Sequence, residues 1–244
     1  MNPGDVIGRA LQIYGSQIGV LLPAALIVFA ISAVAYLVLT GGLAIIAAVI
    51  SLVLATLYQG MVVQLVRDVQ DGRRDNSMGE LFRSVGPVLM PLIAVSILAG
   101  IGIGIGFILI IIPGLFLLTF WSVVAPVTVV EHPGVFAAFR RSWELVKGHG
   151  WPVFGTIVIV FLLVIGASIV AAILGAVLGD VGSAILSWLF SALTQPVAAL
   201  TASVLYFTLL ELRGEARPAA AAAAAAGGPE DPFGSTSTGP PMAT

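Results

Sequence analysis

The sequence contains no cysteine, only two histidines, and few charges: Asp, Glu, Lys and Arg make up 9% of its 244 residues. Without cysteine there are no disulfides, no thiolate-held metals and no thiol nucleophile. An ordinary soluble domain carries about 25% charged residues. A chain that is 59% hydrophobic does not fold as one, and is expected to be an integral membrane protein. The net charge of -2 leaves no basic excess to attract nucleic acid, which is excluded as a partner. Nine arginines against one lysine, with abundant Ala, Gly and Val, suggest a GC-rich bacterial genome.

What is present is a series of long apolar stretches. A helix crossing about 30 Å of hydrocarbon needs roughly 20 apolar residues, because only a helix satisfies its own backbone polar groups in lipid. Six stretches qualify, at 18–40, 43–66, 86–112, 115–130, 152–178 and 182–212. The division between the third and fourth is placed at Pro113-Gly114, since proline suits the first position of a helix and breaks an older one. That leaves the fourth only about 24 Å long at 1.5 Å per residue, so the glycine tract upstream is the alternative breakpoint. The first stretch is long enough for a full span and has only Arg9 before it, so it is expected to be retained rather than cleaved as a signal peptide.

All ten basic residues fall in alternate gaps or at the termini: Arg9, Arg67, Arg73, Arg74, Arg83, Arg140, Arg141, Lys147, Arg213 and Arg217. Basic residues flanking spans stay on the cytoplasmic side. Both termini are therefore expected in the cytoplasm of a multi-pass cell-membrane protein, with tight external turns at Gly41-Gly42, Pro113-Gly114 and 179–181. Residues 1–212 form the membrane domain. Residues 213–244, with an alanine run from Ala219 to Ala226 and an Asp231-Pro232-Phe233 triplet, read as a disordered cytoplasmic tail that lacks the apolar residues to offset chain entropy.

The fold class is all-α, with interfacial amphipathic helices on the cytoplasmic side. Residues 134–147 are one such helix, with Phe136, Phe139, Trp143 and Val146 at helical spacing and Arg140, Arg141, Glu144 and Lys147 facing away. A second is capped by Asp5 and carries Ile7, Leu11 and Tyr14 on one face. A shorter third is Glu80-Leu81-Phe82-Arg83-Ser84. The chain thus reads as three units of surface helix plus helical hairpin, a plan that arises in transporters and equally wherever a bundle grows by duplication.

In the third stretch, Gly100 pairs with Gly104 and Gly102 with Gly106 as two interleaved GxxxG motifs. Two residues advance a helix by about 200°, so the pairs occupy nearly opposite faces and predict close approach from both sides, at the centre of the bundle. Ala171 and Gly175 belong to a further small-residue packing seam. Gln195 before Pro196 is a candidate polar kink, with packing as the alternative. Apart from Glu211 at the edge of the last stretch, no ionisable residue lies within a span, which argues against ion-coupled transport. Glu131, His132 and His149 are too few to argue for a metal, and no cofactor is expected.

The stretch Ile112-Pro113-Gly114-Leu115-Phe116-Leu117-Leu118, then Trp121-Ser122-Val123-Val124-Ala125-Pro126 leading to Glu131, then Ala138-Phe139-Arg140-Arg141-Ser142-Trp143-Glu144-Leu145-Val146-Lys147-Gly148, resembles the membrane domain of membrane-anchored glycerophosphodiester phosphodiesterases. That domain also occurs in stand-alone bacterial six-helix proteins. In the enzymes, activity resides in an appended TIM barrel. No barrel follows residue 211 here, so the resemblance implies the fold and the membrane location without the hydrolase. It supplies no ligand site.

The sequence therefore points to a non-enzymatic membrane scaffold or lipid-associated accessory protein. The alternatives are a lipid or small-molecule transporter without ion coupling and, third, a lipid-headgroup-modifying enzyme. Expected partners are membrane lipids, including anionic headgroups at the cytoplasmic face, and a second copy or another membrane protein. The residues singled out for structure or headgroup binding are Glu131, Arg140, Arg141, Trp143 and Glu144, with Glu131 expected to pair with Arg140 or Arg141.

Overall fold

The computed structural model describes residues 2–71 and 78–215. Arg73, Arg74, Arg217 and the tail from residue 216 onward, with its alanine run and Asp231-Pro232-Phe233 triplet, lie outside the described residues. In chain order the helices are α1 (Pro3–Val38), α2 (Ala44–Gln70), α3 (Met78–Val85), α4 (Leu89–Leu109), α5 (Ile111–Phe120), α6 (Val124–Glu131), α7 (Val135–Val146) and α8 (Gly150–Leu212). No strand occurs among the described residues. Six helical segments are long and apolar enough to cross a membrane: Ile18–Val38, Gly41–Gln70, Gly79–Leu109, Ile111–Glu131, Gly150–Gly179 and Trp188–Leu212.

Proline explains where several helices start. The first N–H groups of a helix have no intrahelical partner, so a proline there forfeits no hydrogen bond. Pro3 opens α1, and Pro91, Pro113, Pro126 and Pro152 each stand third in α4, α5, α6 and α8. This corrects the turn expected at Pro113-Gly114. The break falls at Ile110, whose backbone is extended, because proline is tolerated throughout the first turn and not only at its first position. The fourth span gains residues at its start and runs over 21 residues, about 31 Å if straight.

That span is not continuous. Trp121, Ser122 and Val123 form a turn between α5 and α6. Pro126 is the cause in sequence: it has no N–H to offer the Ser122 carbonyl, so the helix restarts after the turn instead of running through it.

α8 is continuous by hydrogen bonding except at Gly179, where φ is +74° and ψ -178°. A straight helix of 63 residues would be about 95 Å long. Yet the Arg213 guanidinium after its end bonds the Lys147 carbonyl just before its start, at 3.3 Å. The chain therefore reverses at Gly179, as the sequence suggests. Close to that turn, a Cβ on Gly175 would meet Ser183 at 3.0 Å, and Ala171 one turn earlier is buried. Pro196 is accommodated without any non-helical residue beside it, and Gln195 is exposed on the outside of the helix.

α1 packs along α8 and α2, through Leu21, Ala24 and Ala25 against a core that includes Met61, Val62, Leu200 and Leu205. The N-terminal amphipathic segment is the first part of α1, separated from the span that follows by non-helical backbone at Gln17 (φ -115°, ψ 16°). It buries Val6, Ile7 and Ala10, while Leu11 is 46% exposed, so its inner face is turned from the one expected. The two glycine pairs of α4 also differ. A Cβ on Gly102 would strike the Trp121 ring at 2.4 Å, and one on Gly106 would lie 2.9 Å from the Gly114 backbone, whereas Gly100 and Gly104 have nothing within 4 Å. Only one of the two expected close approaches is made within the chain, where α4 packs on α2, α5, α6 and α7.

Candidate functional site

The charged residues converge at one end of the helices. α6 ends at Glu131, and the chain turns through His132 (φ +53°), Pro133 and Gly134 (φ +84°). Left-handed backbone of this kind closes a helix and redirects the chain, here so that α7 packs against α6. The Arg141 Nε donates to Glu131 Oε2 at 2.9 Å and Oε1 at 3.2 Å. Its Nη2 donates to Glu215, three residues beyond α8. The Tyr206 hydroxyl donates to Glu131 Oε1 at 2.9 Å. One guanidinium thus joins the ends of α6 and α8, and the side chains of Arg141 and Glu131 are only about a quarter exposed (25% and 26%).

Around this centre lie looser contacts. Arg213 donates to the backbone carbonyls of Glu144 and Lys147, holding the end of α7 to the end of α8. Arg9 of α1 meets Glu211 at 3.5 Å. Arg140 meets Glu144 one helical turn on at 3.7 Å, with 80% of the Arg140 side chain exposed. The two adjacent arginines therefore have different environments: Arg141 is held by two carboxylates, and Arg140 projects outward.

Electrostatics follow the geometry. The hydrogen bond from Arg141 holds the Glu215 carboxyl below its usual range. Glu215 and then Glu131 in turn bind the Arg141 proton more tightly, outweighing the opposing effect of burial. Among the described residues no three His, Asp or Glu side chains gather as metal ligands would.

α7 buries Ala138, Ser142, Leu145 and Val146. Of the apolar face expected from sequence, Val146 is buried and Phe139 packs edge-on to Trp121 at 4.7 Å, but Phe136 is 80% exposed. The inner arc is centred on small residues because α7 lies close to its neighbours. Ser142 Oγ donates to the Phe120 carbonyl at 2.7 Å, satisfying a backbone acceptor next to the α5–α6 turn. Trp143 packs tilted on Phe120 and edge-on to Phe116, with ring centroids 4.3 and 5.3 Å away.

Glu131, Arg141, Trp143 and Glu144 thus all lie around α7. Gly102 and Gly106 join it through Trp121 and α5, while Gly100, Gly104, Ala171, Gly175, Gln195 and Pro196 take no part. Sequence reasoning missed Tyr206, Arg213, Glu215 and the link from Ser142 to Phe120. The signal for Tyr206 was available, since a tyrosine near the end of an apolar span needs a partner for its hydroxyl. Compared with protein-family models, with curated proteins and with solved structures, the chain matches none.

Proposed function

We propose that the chain is a non-enzymatic membrane scaffold or lipid-associated accessory protein, whose charged end faces the cytoplasm and is braced by Arg141. The observation that carries this reading is the double pairing of Arg141 with Glu131 and Glu215. These groups are spent on one another, joining helix ends as a structural brace does, and a catalytic pair would instead need free access to a substrate. The basic residues among those described all belong to this end and none to the turns of the other, which supports the cytoplasmic assignment. The helix in the first part of α1, together with α3 and α7, fits a plan of three surface helices, each ahead of a hairpin.

The likeness to the membrane domain of glycerophosphodiester phosphodiesterases fits the same reading, since the residues that carry it have packing roles. Gly114 closes on Gly106, Trp121 covers Gly102, Pro126 restarts the helix, and Glu131 with Arg141 braces the end. The transporter reading draws on the broken fourth span, because discontinuous helices line transport sites. Here Trp121 and Ser142 fill and cap the break, which favours the scaffold.

A purified chain is expected to leave glycerophosphodiesters intact. Hydrolysis that disappears in Glu131→Gln would overturn the non-enzymatic reading. In intact cells, a cysteine placed at Arg140 is expected to resist an impermeant thiol reagent while one at Gly42 reacts; the reverse pattern would overturn the orientation.

A further inference from the structure

α7 has a second face, opposite the one that packs on the bundle. At about 100° per residue, Phe136, Arg140, Trp143 and Lys147 fall within about 60° of one another, away from Ala138, Ser142 and Leu145. Phe136 is 80% exposed, and Trp151, at the start of α8, is 84% exposed. Trp143 is fixed by the two phenylalanine rings of α5. Arg140 has only its loose contact with Glu144, and the Lys147 ammonium has no carboxylate partner among the described residues. Counting Arg140, Lys147 and Glu144, the face carries one net positive charge.

Exposed aromatic rings beside cations, on a chain whose helices are apolar, are the chemistry of the boundary between lipid headgroups and acyl chains. Arg140 and Lys147 are seven residues apart, about 10 Å along the helix, a separation that two long side chains can close onto one phosphate. We propose that this face seats an anionic phospholipid, its phosphate between Arg140 and Lys147 and its glycerol and upper acyl region against Phe136. The seat rests on the lipid-associated reading above and sharpens it. Arg140 and Lys147 take the lipid, and Arg141, the other arginine of the pair, is occupied by the brace.

The test uses the full chain in detergent, incubated with equal phosphatidylglycerol and phosphatidylcholine, with bound lipids counted by native mass spectrometry. Wild type is expected to retain phosphatidylglycerol about fivefold over phosphatidylcholine, as one net surface cation implies. Arg140→Gln/Lys147→Gln, which leaves the Glu144 carboxylate alone on this face, is expected to bring the ratio to one or below without changing the melting temperature. A wild-type ratio near one, or a preference that survives in the double variant, overturns the seat. As a measurement independent of the variants, brominated phosphatidylglycerol is expected to quench tryptophan emission more than brominated phosphatidylcholine, and equal quenching counts against the proposal. Alkaline carbonate extraction separates the two levels: release from membranes sinks the membrane reading itself, and retention without headgroup preference sinks the seat alone.

Discussion

The two ends of the helices are held together in different ways. At the charged end, side chains join residues remote in sequence: Arg141 to Glu215, 74 positions apart, Glu131 to Tyr206, 75 apart, and Arg213 to the Glu144 carbonyl, 69 apart. At the other end the chain simply reverses, through Gly41 at φ +63°, the extended Ile110, and Gly179 at φ +74°. The side chains near these turns are apolar and open, with Leu37 78%, Ile108 85% and Val177 84% exposed. One end therefore specifies which helices are neighbours, and the other needs only backbone conformations that reverse direction. Sensitivity to substitution should follow: loss of a side chain matters at the first end, and gain of one matters at the second.

The strongest challenge to this contrast is Arg141→Ala, which leaves Glu131 and Glu215 facing each other without a cation. Removing hydrogen bonds to charged groups is expected to cost about 2–3 kcal/mol, read as a lower melting temperature in detergent. An unchanged melting temperature would mean that packing alone fixes the charged end. Next comes Gly179→Ala. The φ and ψ at Gly179 fall in a region open almost only to glycine, so the methyl group is expected to cost about 2 kcal/mol, although no atom stands within 4 Å of it. A neutral result would show that the turn can re-form elsewhere.

The smallest effect concerns acid. Arg141 holds the folded-state pKa of Glu215 below its unfolded value, so the stabilisation is complete above about pH 4.3 and is lost as pH falls through the folded value. Wild type is expected to melt above Glu215→Gln at pH 7, with the gap narrowing as pH falls below about 4.3. A gap that does not narrow in acid would place the contribution of Glu215 outside its charge.

The apolar stretches were legible because lipid imposes a length and a composition on each, and Gly41 and Gly179 were legible as breaks because the runs stop there. The Ile110 turn was misplaced by three residues, since the rule that admits proline to a first turn does not say which of its positions proline will take. The pairing of Glu131 with an arginine of α7 followed from short sequence separation. Its extension to Tyr206 and Glu215 did not, because nothing in the local pattern of α6 and α7 indicates which distant helix end will arrive beside them. The face of α7 that packs on the bundle was not legible for a related reason: periodicity picks out the largest apolar residues, whereas the buried face carries Ala138, Ser142, Leu145 and Val146 and leaves Phe136 outside.

The broken fourth span also bears on the order in which the protein is made. α5 and α6, of 10 and 8 residues, are about 15 and 12 Å long, and neither alone reaches across a bilayer. Emerging from a ribosome, this segment would have α2 and α4 as its available partners, with Gly106 closing on Gly114. The Phe120 carbonyl beside the break waits longer, since the hydroxyl that satisfies it belongs to Ser142, 22 residues later in the chain. Translation must run into α7, as far as Ser142, before the fourth span is complete, so a chain stalled between those two residues would hold a span that is inserted and still unfinished.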